Sequence, residues 1–228
     1  MDHAADDSEE LLARLKQGDR EALAALFSLC RERLSRVIRF RLDPRLQRRL
    51  DVEDILQEVY LNCSQRIANF LGDSTQSFFV WLRMVAGQTL IDLYRRHLGA
   101  QLRDAGREVP VQGFQYFQAT STSLAIQLAG NRTSPSQAAI RREMSGQLEQ
   151  AIESMDPIDR EILALRHFEE LTNSEVAEVL GIQQKAASIR YVRALGRLKQ
   201  ILMKLSDFAI ENRIRDAAKP ADKEGDEP

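Results

Sequence analysis

Apolar residues recur at three- and four-residue steps along most of this chain, a period that specifies helices and disfavours strands. Leu11, Leu12 and Leu15, then Leu23, Leu26 and Phe27, then Leu34, Val37 and Ile38 read as one or two amphipathic helices broken near Gly18-Asp19. Asp51 is placed to cap a second segment, whose apolar stripe is Ile55, Leu56, Val59, Tyr60, Cys63, Ile67 and Phe70. Glu53 and Asp54 follow in the first turn, where acids suit the helix dipole. A third segment spans about Ser77 to Leu98, with Phe78, Trp81, Leu82, Val85, Leu90 and Ile91 toward a core. With 11 Gly, 6 Pro and 6% aromatics, turn content is too low for an all-β chain. The expected class is all-α.

Residues 99–133 change character. They mix Gly, Gln, Ser and Thr, and Pro110 and Gly113 argue against an isolated strand between Val109 and Phe117. The stretch reads as a flexible linker with at most one short helix near Leu124–Leu128. Helices resume at three capping signatures: Ser134-Pro135-Ser136-Gln137, Asp156-Pro157-Ile158-Asp159 and Thr172-Asn173-Ser174-Glu175. The last opens a short helix closed by Gly181, and a longer basic helix runs from Gln183 to about Leu205. The expected organisation is two small helical domains, 1–98 and 134–205, around the linker 99–133. A polar tail, 206–228, is expected to be disordered.

The net charge of -2 excludes a uniformly basic nucleic-acid coat and leaves room for local patches. Residues 31–50 hold eight Arg against Glu32 and Asp43. Residues 169–178 hold Glu169, Glu170, Glu175 and Glu178 and no base, and 183–205 hold six bases and no acid. Such runs are most simply solvated faces. Cys30 and Cys63 form no paired motif and read as small buried apolar residues in a reducing compartment. His3, His97 and His167 are scattered, so no metal site is expected. No nucleophile-base set or phosphate-binding glycine loop is present, which argues against an enzyme and against any cofactor. The opening MDHAADDSEE lacks the pattern of a secretion signal, and no apolar run reaches membrane-spanning length, so a cytoplasmic chain without membrane insertion is expected.

Residues 172–205 follow the plan of a helix-turn-helix. On a helical wheel Ala187, Tyr191, Ala194, Leu195 and Leu198 fall on a packing side. Lys185, Ser188, Ile189, Val192, Arg193 and Gly196 fall on the other. Apolar residues among bases on an exposed face suit a major groove, where they meet thymine methyls and Lys or Arg reaches guanine. Arg190 and Arg197 flank that face and suit phosphates.

These blocks together resemble the extracytoplasmic-function group of sigma factors, the bacterial subunits that give RNA polymerase its promoter specificity. The resemblance rests on Leu11–Asp19 with Ala22-Leu23, on Asp51-Val52-Glu53-Asp54-Ile55-Leu56-Gln57-Glu58-Val59-Tyr60, on Trp81-Leu82 through Ile91-Asp92 and Arg95-Arg96, and on Asp156–Leu163 and Leu171–Ile182. It covers about 1–98, matching the family's region two, and 134–203, matching its region four.

The resemblance implies that Asp51, Glu53, Asp54, Gln57 and Glu58 dock on the clamp coiled coil of the polymerase's largest subunit, with region four toward the flap. It implies that the loop 69–77 with Phe70, together with Arg83, Gln88, Arg95 and Arg96, engages and melts the minus-ten element. Phe70 reads equally well as core. Lys185, Ser188, Ile189, Arg190, Val192, Arg193 and Arg197 would read the minus-thirty-five element. Promoter DNA, core polymerase and an anti-sigma factor are the partners so implied. Gly87-Gln88 and Gln183-Gln184-Lys185-Ala186-Ala187 depart from the family's frequent residues, so neither promoter sequence carries over. The loop before Phe78 and the Arg-rich stretch Arg39–Arg49 are longer than usual. The alternative function is a stand-alone helix-turn-helix regulator that binds DNA without polymerase.

Overall fold

The computed structural model describes residues 3–43, 45–47, 49–72, 76–104, 121–129 and 138–217. Among these, all regular structure is helical. In chain order the elements are α1 (His3–Lys16), α2 (Glu21–Arg41), α3 (Val52–Gly72), α4 (Phe78–Asp104), α5 (Ser121–Ala129), α6 (Ala138–Glu153), α7 (Pro157–Leu163), α8 (Asn173–Leu180) and α9 (Gln184–Ala217). A π turn, Ala164–Phe168, continues α7. No described helix is long and apolar enough to cross a membrane.

The break between α1 and α2 is local chemistry. Gly18 takes φ +93°, a conformation that favours glycine. The Asp19 carboxylate then accepts from the Glu21 backbone N–H at 2.9 Å and from Arg14 Nη2 at 2.7 Å. Helices α1 to α4 close around one core, in which Leu26, Leu34, Ile38, Ile55, Val59, Cys63, Trp81, Leu82 and Val85 are buried.

Helices α2 and α4 each bury a second face. Val37 of α2 and Phe79 of α4 join Ile162, Leu165, Leu171, Val176 and Ala187 in a core shared with α7, α8 and α9. Phe40 of α2 packs with Leu124, Ala125, Leu148, Ile152 and Ala164, and its ring stacks on Phe168 at 5.0 Å. The two halves, which composition suggests are separately packed, therefore share an interface. Apolar residues wrap most of the circumference of α4 because it is covered on two sides.

Two boundaries differ from the sequence reading, and the short helix expected near Leu124–Leu128 is present. Helix α4 continues past Leu98 to Asp104, since Gly99 weakens a helix without ending it. Within 99–133, Ser121–Ala129 forms α5, which packs on α6; residues 105–120 and 130–133 lie outside the described residues. Helix α9 runs to Ala217, well into the stretch read as a disordered tail. No Gly or Pro stands between Leu205 and Ala217 to stop it. Residues 218–228 and the capping signature at Ser134–Gln137 lie outside the described residues.

Candidate nucleic-acid and polymerase interfaces

The turn of the helix-turn-helix is built from backbone chemistry. Thr172 Oγ1 accepts from the Glu175 N–H at 3.2 Å while the Glu175 carboxylate accepts from the Thr172 N–H at 2.8 Å, which completes the capping box. Gly181 ends α8 at φ +63°, and the Ile182 N–H donates to the Ala177 carbonyl at 2.9 Å. Val176, Ala177 and Ala187 are buried where the two helices meet, and Asn173 Nδ2 donates to Ser188 Oγ at 2.8 Å.

This packing turns one face of α9 outward. Val192 is 68% exposed and Ile189 44% exposed, and Lys185, Arg193 and Gly196 beside them are also exposed. Ala187 and Ala194 are buried and Tyr191 and Leu198 half-buried, on the side the wheel assigns to packing. Leu195 departs from the wheel. It is 38% exposed and lines a small apolar cavity with Leu124, Leu128, Ile152 and Leu198. Ser188 is half-buried by its bond to Asn173. Arg190 and Arg197 turn toward α7. Arg197 pairs with the buried Asp159, and Arg190 Nη1 lies 4.0 Å from the same carboxylate.

On α3, Ile55 and Val59 face the core and the polar side faces out. Asp51, Glu53, Asp54 and Gln57 are exposed and Glu58 is half-buried. Asp51 accepts from the Glu53 N–H at 3.2 Å, the expected cap. Glu53 pairs with Arg31 and Glu58 with Arg96. Asp54 and Gln57 present their polar ends to no partner among the described residues. Asp51 and Asp54 line a cleft of about 940 Å³ whose other walls include Arg36, Arg39, Phe40, Gln127 and Phe168.

The residues assigned to the minus-ten element separate into two groups. Gln88, half-buried, donates to Asp92 at 3.3 Å, and Arg95 and Arg96 are exposed at the same side of α4. Phe70 is buried. Its ring centroid lies 4.9 Å from Trp81 and 5.7 Å from Phe78, so it packs in the first core; residues 73–75 of the loop after it lie outside the described residues. Arg83 is buried too. Its Nε donates to Glu169 Oε2 at 2.6 Å, and its Nη2 reaches Glu161 Oε1 at 3.4 Å.

That last contact belongs to a cluster that inspection of single motifs does not find. Arg41 Nε donates to Glu169 Oε1 at 2.5 Å, and its Nη2 donates to Glu161 Oε1 at 2.7 Å. The Glu169 side chain is 0% exposed. Burial alone pushes its carboxyl up, but Arg41 and Arg83 outweigh this and hold it below its ordinary 4.5. Burial opposes the charge on Arg41, and Glu161 and Glu169 more than restore it, leaving the guanidinium more basic than usual. Glu170 next to it takes φ 56°, a left-handed backbone rare outside glycine, where the chain turns from the π turn toward α8. The usable signal was the pairing of the Arg run 31–50 with the acidic run 169–178.

A family model described as Sigma-70, region 4 matches residues 145–198, which contain α7, the π turn, α8 and the exposed face of α9. The chain is 25% identical over 202 residues to the RNA polymerase sigma-H factor of Pseudomonas aeruginosa, covering 88% of this chain and 96% of that one. It is 24% identical over 194 residues to the ECF RNA polymerase sigma factor SigW of Bacillus subtilis, covering 85% and 96%. The solved structure of CnrH in complex with the cytosolic domain of CnrY aligns at a TM-score of 0.48 and 19% identity, covering 87% of this chain and 98% of that one. Region four is thus matched by a family model, and the relatives similar to this chain over most of its length are RNA polymerase sigma factors.

Proposed function

We propose that this chain is a sigma factor that binds core RNA polymerase through α3 and directs initiation by reading two promoter elements, one with each half of the chain. The observation that carries the reading is the outward face of α9, where Ile189 and Val192 stand exposed between Lys185 and Arg193. Exposed β-branched residues cost hydration in the free protein and gain it back against thymine methyls in a major groove. Lys185 and Arg193 reach base edges, Ser188 orients the helix through Asn173, and Arg190 and Arg197 move from Asp159 to phosphates.

On α3, Asp54 and Gln57 offer acceptors to basic residues of the polymerase clamp, with Asp51, Glu53 and Glu58 around them. Region four faces the flap. At the minus-ten element, Gln88 reads a base edge while Arg95 and Arg96 follow the phosphates. Phe70, packed with Trp81 in the first core, anchors the end of α3 from which the base-receiving loop departs. Extrusion is driven by binding energy and consumes no nucleotide. Region two is assigned to 1–98 and region four to 134–205.

Run-off transcription tests this. The protein, added to sigma-free bacterial core on pooled promoter fragments, is expected to give discrete transcripts whose starts share two upstream elements. Specific DNA binding without core, and no transcripts, would establish the stand-alone regulator instead.

A further inference from the structure

Acids account for most of the arginines in the run 31–50. Arg31 pairs with Glu53, Arg33 with Glu175, Arg41 with Glu161 and Glu169, and Arg45 with Asp43. Arg36 reaches Glu170 at 3.1 Å and Glu32 at 3.4 Å, yet its Nε is buried and meets no acceptor among the described residues. Arg39 and Arg49 are exposed and pair with no acid among the described residues. Arg48 lies outside the described residues. The three arginines with donors to spare, Arg36, Arg39 and Arg49, do not scatter over a solvated face. All of them line the cleft of about 940 Å³ that is bounded by α2, the start of α3, α5 and the π turn.

The rest of that wall carries different chemistry. Asp51 and Asp54, both exposed, offer carboxylate acceptors at the start of α3. Opposite them stand Gln127 of α5, exposed, and Phe168. The Phe168 ring stacks on Phe40 at 5.0 Å with 9° between the planes. Phe40 is 5% exposed, so the half-buried Phe168 is the ring of that pair open to a ligand.

Each part of the wall selects a different part of one ligand. Guanidinium groups hold phosphate oxygens through charge-assisted, often bidentate hydrogen bonds. A carboxylate accepts from sugar hydroxyls, as the acid on the ribose does in dinucleotide-binding folds. An aromatic ring stacks a base, and a carboxamide pairs with a base edge. The volume lies in the range of small-molecule sites, about 300–1,000 Å³. A nucleic-acid strand or an acidic peptide suits this wall less well, because Asp51 and Asp54 repel a continuous run of negative charge. A nucleotide gathers its negative charge at one end and its hydroxyl donors at the other, and so meets both signs.

We propose that this cleft binds a nucleoside diphosphate, with its phosphates on Arg36, Arg39 and Arg49, its sugar hydroxyls on Asp51 and Asp54, and its base on Phe168. Gln127 reaches the base edge. The site binds and releases the nucleotide unchanged. Occupancy covers Asp51 and Asp54, so the nucleotide competes with polymerase docking; that consequence alone rests on the docking role assigned to these two residues above.

Calorimetric titration of the full chain with ADP, GDP and pyrophosphate tests the site. One or both nucleotides are expected to bind roughly tenfold tighter than pyrophosphate, which lacks the sugar and base. Dideoxy analogues without the sugar hydroxyls are expected to bind several-fold more weakly. Arg39→Ala with Arg49→Ala is expected to weaken nucleotide binding roughly tenfold or more. Both side chains are exposed and unpaired, so this variant keeps its fold, which circular dichroism checks. No binding of ADP or GDP at about 1 mM overturns the proposal. So does nucleotide binding that the double variant leaves unchanged, since the site then lies elsewhere. Equal affinity for GDP and pyrophosphate would reduce the cleft to an anion patch and overturn the nucleotide assignment. A DNA duplex that binds through Arg39 and Arg49 while nucleotides do not would make the cleft a track for nucleic-acid phosphates, and overturns it too. Finally, GDP that binds by calorimetry is expected to weaken core polymerase binding several-fold by fluorescence anisotropy. Undiminished core binding at saturating GDP would take Asp51 and Asp54 off the docking surface and leave the nucleotide site standing.

Discussion

Arg83 Nε and Glu169 Oε2 meet at 2.6 Å across 86 residues of sequence, and neither side chain is more than 5% exposed. The pair joins the helix assigned to promoter melting to the segment that leads into the helix-turn-helix. Removing one partner strands a charge. Arg83→Met is expected to lower unfolding stability by about 3–5 kcal/mol. Arg83→Met with Glu169→Leu removes one charge of each sign and leaves Arg41 with Glu161, so it is expected to recover most of that loss. Urea unfolding of the wild type, both single variants and the double variant measures the coupling. Additive losses would show that the pair is no unit.

Acid should release the same interface. Glu169 is held below its ordinary 4.5 in the folded chain, so its proton affinity is higher once the chain unfolds. A carboxyl depressed in this way contributes stability in full above its ordinary value, and loses it as pH falls through the folded value. Stability measured from pH 6 downward is expected to hold to about 4.5 and then drop, and Glu169→Gln is expected to flatten that drop. An identical acid limb in the variant would assign it to other carboxylates.

The elements legible in the sequence were those set by neighbours along the chain. Asp51, Asp156 and Thr172 cap their helices as their spacing implies, because each bonds a backbone N–H two or three residues away. Ile55 and Val59 turn inward and Asp54 and Gln57 outward by the same periodicity. The pairing of Arg41 with Glu161 spans 120 residues and obeys no local rule, so the Arg run and the Glu run each read as a solvated face. Leu195 failed for a related reason. A wheel assigns sides, but the neighbour that covers a side is tertiary. For Arg83 and Phe70 the resemblance implies contact with the minus-ten element, which says nothing of which partner holds them in the free chain.

Asp54→Ala with Gln57→Ala should weaken core binding without harming the fold. Both side chains are exposed, and neither has a partner among the described residues, so little stability depends on them. Lost charge-assisted bonds at a partly desolvated interface are expected to cost about 2–3 kcal/mol together, or roughly 30- to 150-fold in affinity. Fluorescence anisotropy against core polymerase checks this. Unchanged affinity in a normally helical variant would move the docking site off α3.

Glu170→Gly tests the turn before α8. A non-glycine residue at φ 56° carries about 1–2 kcal/mol of backbone cost, and glycine removes it at some expense in unfolded-state entropy. The Arg36–Glu170 pair that is lost is largely solvated and contributes under about 1 kcal/mol. The expected outcome is no loss, or a gain of up to about 1 kcal/mol, in thermal or chemical unfolding. A clear destabilisation would mean that the pair matters more than its exposure suggests.

Arg193 and Arg190 should fail differently. Arg193 stands exposed beside Val192 on the outward face of α9, and Arg190 lies at the flank, 4.0 Å from Asp159. A base contact carries about 1–3 kcal/mol of discrimination, so Arg193→Ala should reduce transcription from the best promoter and relax choice at one position of the minus-thirty-five element. A phosphate contact carries no sequence information. Arg190→Ala should therefore lower binding to all promoters by a similar factor and reduce the salt dependence by about one counterion. Holoenzyme binding to a promoter library at several salt concentrations separates the two. A uniform loss for Arg193→Ala would place that side chain on the backbone, and would leave Lys185, Ile189 and Val192 to carry the reading of bases.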